Sequence, residues 1–585
     1  MALTSRWIGR IVGACVTAAC LVSRPALADD EFEKFKRAAE EGVADIQQEF
    51  RSAVAAQDRE FADHLRTQWA EFEAFAARKP EIGPKPRALP VAPRRAPSPS
   101  VIPRSGSKPS AAVQPRSDLI VKAPGVAAPP TKAVEVPSQR SVDRPPAPAP
   151  VVPVPEREFA VPGRISEAPR AGPVIPPVTP EARPDVAVAP AAPPVPAARP
   201  VPAPAAPRTL ERTPPTGVAS QTLSIDFFGA PVKVVIDPAW RTLPPVQTNP
   251  DGLADFWDRM SGTRFQPTLD AIEASRRAMA LDDWGHALLW QEVTKALRPT
   301  APREQLLLQW FFLVKSGFDA RPGYSAQRLL LLVNVQQSVY GVSYIKVDGK
   351  PYYELFGVDP ATAAGRYAAY SGRYPTALRA MDIRVAATGF VAGTVTRRAL
   401  EFDNRGKRVR VDLAYERPVT RYLDRFPQLD FELYFATPPS PAARRSLAEA
   451  LGPHLKGLSQ EEGVDFLLAF VQKAFEYKTD KDQFGREKYF FVEEVLHFPY
   501  SDCEDRSAIF SWLVRELLGI DTVGLHYPGH MTTAVALSAV RADWQTVEWR
   551  NKRYVIADPT YINASVGMAM PSYRGQKPLR VVELY

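Results

Sequence analysis

The prolines of this 585-residue chain are concentrated in one segment, and they divide the sequence more sharply than any other feature. Between Pro80 and Thr216 lie 37 of the 61 prolines, mixed with alanine, valine and arginine. Such a stretch has too few large apolar residues to offset the entropy of ordering it, and proline is excluded from helix and sheet interiors. We therefore expect residues 81–217 to be an extended, disordered, proline- and alanine-rich linker between two structured regions.

The first 28 residues have the pattern of a secretory signal peptide. Arg6 and Arg10 precede a short apolar run, and Ala26-Leu27-Ala28 is a small-x-small cleavage site. The apolar run is short for a membrane span, although an uncleaved anchor is the alternative. This predicts an exported protein, periplasmic or secreted, in a bacterial envelope.

Residues 29–80 have the periodicity of a helix. Apolar side chains recur every three, four, seven or eight residues from Phe35 to Phe72, and Pro80 stops the pattern. A single helix cannot bury such a stripe by itself, so we expect a long helix or helical hairpin, coiled-coil-like, that self-associates or docks on a partner.

The net charge of +8 narrows the range of partners only slightly. The arginines of the linker predict weak contact with anionic envelope polymers. We find no pattern that indicates nucleic-acid binding.

One cysteine, Cys503, is expected to remain in the mature chain, because the other two cysteines lie in the predicted signal peptide. A single thiol is unusual in oxidising compartments, where cysteines are mostly paired. Ser501 or Asp502 can cap a helix that begins at Cys503, and Gly519 is a stop signal for it. The positive end of that helix is expected to stabilise a thiolate and lower the pKa of Cys503.

An imidazole and a carboxylate follow the thiol in chain order. His530 opens a run with strand propensity, and Asp558 ends a second such run just before Pro559. Two neighbouring antiparallel strands can bring His530 and Asp558 together, while the helix packs on the sheet and adds Cys503. An imidazole that takes the thiol proton, oriented by a carboxylate, is the arrangement that activates a cysteine nucleophile. Tyr500 or Trp512 can supply an oxyanion donor or a pocket wall.

Asp-Cys-Glu-Asp on a helix, His-Met at a strand start and Asp-Pro-Thr after a strand resemble the transglutaminase-like superfamily. Within it they are most similar to the bacterial transglutaminase-like cysteine proteinases, over roughly Phe466–Ser572. The resemblance implies a papain-like core and acyl-transfer chemistry, with Cys503 as nucleophile, His530 as general base and acid, and Asp558 as the residue that orients the imidazole.

The motif departs from that of animal transglutaminases, which place Gly-Gln before the cysteine and Trp after it. Ser501-Asp502 and Glu504 occupy those positions here, which favours hydrolysis over cross-linking. Some bacterial relatives bind calcium through acids that flank the cysteine, and Asp502 and Glu504 match them. A cation there would relieve the effect of two carboxylates on the thiolate. The alternative is that both acids face solvent as first-turn capping residues.

The chain also resembles itself at a displacement of 202 residues, from Ala301 to Cys503. The displacement aligns Trp310 with Trp512, Gly317 with Gly519, and Tyr352 with Tyr554. At the positions of Cys503, His530 and Asp558 the earlier segment has Ala301, Arg328 and Phe356, which cannot perform the chemistry. We interpret it as a degenerate copy of the same unit, the alternative being chance similarity of amphipathic helices.

The predicted fold class is α+β. It combines the N-terminal helical segment and linker with a degenerate transglutaminase-like domain (218–384), a β-rich region (385–440) and a catalytic domain (441–585). In the β-rich region, strands flank Asn404-Arg405-Gly406, and Phe431–Phe435 is predicted to be a further strand.

The predicted function is that of an exported cysteine hydrolase or acyltransferase, a protease or transamidase. It would cleave or transfer peptide or side-chain amide bonds of envelope proteins, without a required cofactor but with calcium as a candidate. The alternative is a non-catalytic envelope scaffold with a vestigial triad.

Overall fold

Helices and sheets share the core in this computed structural model, which describes residues 29–79, 84–93, 221–325, 328–356, 365–385 and 394–583. The fold class is α+β, as predicted. The predicted signal peptide (1–28) and most of the predicted linker lie outside the described residues. The helices are α1 Asp29–Thr67, α2 Pro250–Ser261, α3 Gln266–Ala278, α4 Asp283–Leu297, α5 Pro302–Lys315, α6 Arg417–Leu423, α7 Phe431–Ala436, α8 Pro441–Leu455, α9 Gln460–Ala474, α10 Asp480–Phe484, α11 Val492–His497 and α12 Cys503–Leu518.

Most strands are short and lie between helices. They are β1 Trp69–Ala76, β2 Gln221–Phe227, β3 Ala230–Ile236, β4 Ala320–Ser325, β5 Arg328–Asn334, β6 Ser343–Val347, β7 Lys350–Phe356, β8 Gly365–Tyr370, β9 Val395–Asn404, β10 Lys407–Glu416, β11 Glu476–Tyr477, β12 Tyr500–Ser501, β13 Thr522–Tyr527, β14 His530–Val535, β15 Thr546–Trp549, β16 Lys552–Ala557 and β17 Arg580–Val582. No helix of the described ranges is both long and apolar enough to cross a bilayer.

The N-terminal helix is shorter than predicted, because α1 ends at Thr67 and the chain continues as β1. The prediction of a helix is wrong for residues 69–76. They form β1, which pairs with β8, some 300 residues away, and with β6. Tertiary pairing here overrides the local pattern. The last turns of α1 dock on the chain's own folded region, where Phe61 and Leu65 are buried and the Phe61 ring meets Trp257. Self-association through α1 stays a prediction.

Six strands form a closed barrel in the order β1-β6-β7-β5-β4-β8. All of them except β1 follow helix α5 in the chain. Its interior holds the apolar side chains of alternate positions, among them Leu330, Leu332 and Tyr352. The opposite faces of the same strands, such as Leu331 and Val333, pack on the helices. This alternation follows from the two-residue period of a strand.

A five-stranded sheet in the order β15-β16-β14-β13-β17 follows helix α12. Displaced by 202 residues, each of its first four strands matches a strand of the barrel in the same order. The hairpin registers also agree: Tyr527 pairs with His530 in one unit, and Ser325 pairs with Arg328 in the other. Residues 302–356 and 503–558 therefore have the same helix-and-strand topology. We name them the upstream unit and, after the function predicted for it, the catalytic unit.

The middle region is only partly β structure. Strands β9 and β10 form the predicted hairpin, and Arg405 and Gly406 have the positive φ values that its two-residue turn requires. The predicted strand Phe431–Phe435 is wrong, because this segment forms helix α7. Phe431, Tyr434 and Phe435 are buried at helical spacing, so a short apolar run that was ambiguous in the sequence packs as a helix.

Candidate active site

Cys503 is the first residue of helix α12, as the sequence predicts. The backbone N–H of Asp502 donates to Asp505 Oδ2 at 3.2 Å, which closes the first turn. Gly519 ends the helix in the left-handed conformation with φ of 64°, which confirms the predicted stop signal. The thiol therefore lies where backbone N–H groups of a helix are without intrahelical partners.

His530 and Asp558 form a fixed pair. His530 is the first residue of β14, Asp558 directly follows β16, and His530 Nε2 lies 2.9 Å from Asp558 Oδ2. The backbone N–H groups of Thr560 and Tyr561 donate to Asp558 Oδ1 at 2.9 and 3.2 Å. A carboxylate held in this way accepts from the Nε2–H tautomer of the imidazole, the tautomer that has its lone pair on Nδ1. That Nδ1 is buried and has no hydrogen-bond partner among the described residues.

Two contacts bring the first turns of α12 next to this pair. Ser507 Oγ, one turn after Cys503, donates to the carbonyl of Met531 at 3.2 Å. The ring of Tyr573 stacks on His530 with centroids 5.0 Å apart. Burial raises the pKa of Tyr573, and the charges of Cys503 and Asp558 raise it further. The structure thus places Cys503 in the same neighbourhood as the His530–Asp558 pair.

The thiol of Cys503 is buried and hydrogen-bonded. Its side chain is buried, and Sγ donates to Glu504 Oε2 at 3.0 Å. Burial raises the pKa of Cys503 well above its usual value, and the carboxylates of Glu504 and Asp502 raise it further. The expectation of a lowered pKa is therefore wrong for this conformation, since desolvation and two acids outweigh the helix terminus.

A lysine from the N-terminal part of the chain neutralises these acids. Lys85 Nζ lies 2.7 Å from Asp502 Oδ2, 2.9 Å from Glu487 Oε2 and 3.7 Å from Asp480 Oδ2, and it forms a closer contact with Glu504 Oε1. We name these four carboxylates the acidic cage.

Charge pairing keeps Lys85 and Glu504 ionised, whereas burial raises the pKa of Asp502 and of Asp480 well above its usual value. Burial lowers the pKa of Lys85, but Glu504 and Asp502 raise it well above its usual value, so the ammonium is retained. Burial raises the pKa of Glu504, yet the Lys85 charge lowers it to about 2.

Residues 84–93 were predicted to be disordered linker, and this is wrong. Besides Lys85, Ala92 donates its backbone N–H to the Ile562 carbonyl at 2.7 Å, and Ile562 donates to the Pro90 carbonyl at 3.0 Å. Ala92 is buried against Tyr561, Ala564 and Met570. Specific contacts with distant residues fix a segment whose composition alone favours disorder.

The acids predicted to hold calcium lie together. Asp502 and Glu504 are buried, so the alternative that both face solvent is wrong. Two all-oxygen donor sets of the kind that calcium prefers are present, Asp480 with Asp502 and Asp505, and Asp480 with Glu487 and Glu504. Asp502 Oδ1 is buried without a partner among the described residues. These residues fit a hard divalent cation, but the Lys85 ammonium lies among them. Calcium binding stays a prediction.

A cavity of about 580 Å³ adjoins the pair. Its lining includes His530, Asp558, Tyr573 and Met570 but not Cys503. The buried His530 side chain therefore borders a space of ligand size, whereas Cys503 does not line it in this conformation.

Tyr477 is a residue of the site that the sequence did not reveal. Its hydroxyl is buried without a partner among the described residues. Burial raises its pKa, and the nearby charge of Cys503 raises it further. Of the predicted oxyanion donors, Trp512 belongs to the apolar core, and Tyr500 pairs with Glu476, next to Tyr477, in the parallel β11–β12 pair. No local signal marked Tyr477, because this two-residue pairing joins segments far apart along the chain.

The upstream unit holds no such constellation at the matching positions. Arg328, at the position of His530, contacts the buried Glu354 instead. A bulge between Leu331 and Leu332 sets Phe356 inside the pairing of β7, whereas Asp558 lies just past the end of β16.

Comparison of this chain with protein-family models, with curated proteins and with solved structures finds no match in any of the three. The functional interpretation therefore depends on the contacts described above.

Proposed function

We propose that this protein is an exported cysteine hydrolase or acyltransferase that acts on peptide or side-chain amide bonds of envelope proteins, with a papain-like, transglutaminase-like catalytic unit. The observation that carries the proposal is the His530–Asp558 pair at 2.9 Å, whose free Nδ1 is buried without a partner among the described residues, beside a thiol at a helix start. An imidazole oriented in this way can take the proton of a nucleophile.

The proposed reaction has two halves. The Cys503 proton passes to His530 Nδ1, the sulfur attacks the amide carbonyl, and a new S–C bond forms. The C–N bond then breaks while His530 returns the proton to the leaving amine. Water, activated by the same Nδ1, hydrolyses the thioester, and an amine in its place gives transamidation.

Two kinds of donor support the oxyanion in this scheme. The N–H groups of the first turn of α12 have no intrahelical acceptors. The Tyr477 hydroxyl is buried, has no partner among the described residues and lies within electrostatic reach of Cys503. Such preorganised donors are strongest in a water-excluded site. We assign Tyr477 the role of oxyanion donor.

The acidic cage sets the charge next to the nucleophile. A bound cation would neutralise Asp502 and Glu504 and so favour the thiolate. In this conformation the Lys85 ammonium supplies that charge, while the thiol keeps its proton and donates it in a hydrogen bond to Glu504 Oε2.

A second candidate is a scaffold with a silent triad, and the burial of Cys503 with its raised pKa favours it. The two candidates differ in what Cys503 does in the cell. Envelope proteomes from cells with the wild-type chain and with Cys503→Ser are compared for new protein termini and new isopeptide links. We expect products that need both Cys503 and His530; identical proteomes would favour the scaffold.

Thiol labelling of the purified chain gives a second test. We expect His530→Ala to react with iodoacetamide at least about tenfold more slowly than wild type near neutral pH, because the imidazole no longer takes the proton. His454→Ala is the matched control, since His454 is an exposed imidazole that stacks on the buried ring of Phe466. Equal labelling of all three proteins would contradict an activated thiol.

A further inference from the structure

The segment 84–92, named the strap, lies on the catalytic unit in the manner of a bound peptide. It has the sequence PKPRALPVA. Its contacts reach from the four carboxylates around Lys85 to the two backbone hydrogen bonds with Ile562. Its backbone pairs with Ile562 as a single parallel bridge at Val91. Main-chain pairing at one point and a side chain in a pocket at another are how extended peptides are recognised.

The strap lies against the proposed catalytic residues on two sides. At one end, Lys85 contacts Glu504, the carboxylate that accepts a hydrogen bond from the Cys503 thiol. At the other end, Ala92 packs on Met570, which also lines the cavity next to His530. The strap therefore reaches from the carboxylate next to Cys503 to a residue of the cavity next to His530.

The acidic cage defines what can replace the strap. Lys85 is 7 % exposed, and its four carboxylate neighbours include Asp502 and Glu504, which are also buried. If the strap left alone, these acids would remain buried without a counter-charge, which is costly. The site therefore favours an incoming group that brings a cation with it.

We propose that the strap occupies the substrate groove of this enzyme, and that the groove selects extended peptides with a lysine or arginine side chain for the acidic cage. This inference rests on the proposed function and names its substrate class. The four contacts of the Lys85 ammonium carry it, together with the pairing at Ile562. The prolines of the strap keep it extended, so that little entropy is lost when it docks.

The strap is part of the chain, and its effective concentration at the groove is therefore high, on the order of millimolar for a short tether. A free peptide at micromolar concentration should not displace it from the wild-type protein. Replacement of buried Ala92 by arginine should release the strap at Ile562 without touching Cys503, His530 or Asp558.

The test measures binding of a fluorescent peptide PKPRALPVAP, residues 84–93, by anisotropy. We expect Ala92→Arg to bind the peptide and wild type to show at least about tenfold weaker binding. A peptide with Lys85→Gln should bind Ala92→Arg at least about tenfold more weakly, whereas a peptide with Arg87→Gln should bind unchanged, because Arg87 is exposed. Equal losses with both peptides would reduce the binding to general charge attraction and overturn the proposal.

Three further arms make the result decisive. Lys85→Gln in the chain releases the other end of the strap and should also permit peptide binding, so the test does not depend on the folding of one variant. Calcium alone is titrated into Ala92→Arg, and calcium binding without peptide binding would make the cage an ion site and refute a peptide groove. His530→Ala combined with Ala92→Arg should bind peptide normally, which separates failure of the groove from failure of the proposed catalysis.

Discussion

The upstream and catalytic units have one topology and differ at the positions where chemistry would occur. Both have a helix followed by four strands at matching positions, with the same hairpin registers. The catalytic unit has a buried acid on either side of its first helical residue, whereas Thr300 and Pro302 flank Ala301 in the upstream unit. The fold therefore does not depend on the triad or the cage, and their presence in one unit needs a functional explanation.

The two units also have different side-chain pairs at and near the matching positions. The catalytic unit pairs His530 with Asp558 and leaves one nitrogen without a partner among the described residues. The upstream unit pairs Arg328 with Glu354 and has no imidazole at these positions. A side-chain pair at the start of this strand can thus have a structural role in one unit and the proposed catalytic role in the other.

The largest effect is expected from one substitution made at both matching positions. His530→Asn should lower activity by about 10³-fold or more, because the general base is lost, whereas Arg328→Asn should leave activity within about twofold of wild type. Turnover of an envelope-derived peptide by the strap-released Ala92→Arg chain measures both. Similar losses at the two positions would show that the units share a structural role only.

The acidic cage, which the upstream unit lacks, should make the catalytic unit depend on Lys85. Lys85→Met should lower the free energy of unfolding by about 3 kcal/mol, since a buried charge network loses its cation. Calcium should restore the melting temperature of Lys85→Met, while chelator and calcium should leave wild type unchanged. Arg87→Met is the control, and a wild-type melting temperature that falls with chelator would mean that a metal is the resident cation.

The role of Tyr477 can be separated from that of its neighbour across the β11–β12 pair. Tyr477→Phe should lower kcat by about 10²-fold with little change in KM, because an oxyanion donor acts in the transition state. Tyr500→Phe should have no such effect. A change in KM alone for Tyr477→Phe would make this residue a wall of the site.

The smallest expected effect is a change in the pH dependence of stability, caused by a residue of the upstream unit. Burial raises the pKa of Glu354 from 4.5 to about 7, although Arg328 lowers it. Between these values the unfolded chain has released the proton that the folded chain still holds, so stability falls as pH rises through this window. Glu354→Gln should remove roughly 2 kcal/mol of that decline, measured by denaturant unfolding at pH 4.5 and pH 7.5. An unchanged slope would show that Glu354 is ionised in the fold.

Local signals in the sequence predicted the elements that carry the proposed triad. Helix α12 begins at Cys503 and ends at Gly519, and β14 begins at His530, because a cap, a glycine and the Pro528-Gly529 turn each act within a few residues. The internal repeat was visible for the same reason, since its turns and aromatic positions recur at one displacement. The hairpin of β9 and β10 likewise follows from its turn residues.

The remaining features depend on contacts between distant residues. The sequence of β1 has the pattern of a helix end, and this segment is a strand because it pairs with β8. Lys85 belongs by composition to a disordered segment, and the acids that hold it lie some 400 residues later. The direction of the Cys503 pKa shift also depends on burial and on Glu504, which a helix-terminus argument does not contain.

Strand β1 and the strap are neighbours in sequence, and this matters for anyone who shortens the protein. A recombinant chain trimmed to residues 221–585, which the composition would suggest as the natural folded fragment, lacks both. Such a fragment would expose the free edges of β6 and β8, a template for aggregation, and would lose the counter-ion of the cage. Poor solubility of that fragment would then be a result of the trimming rather than a property of the full chain.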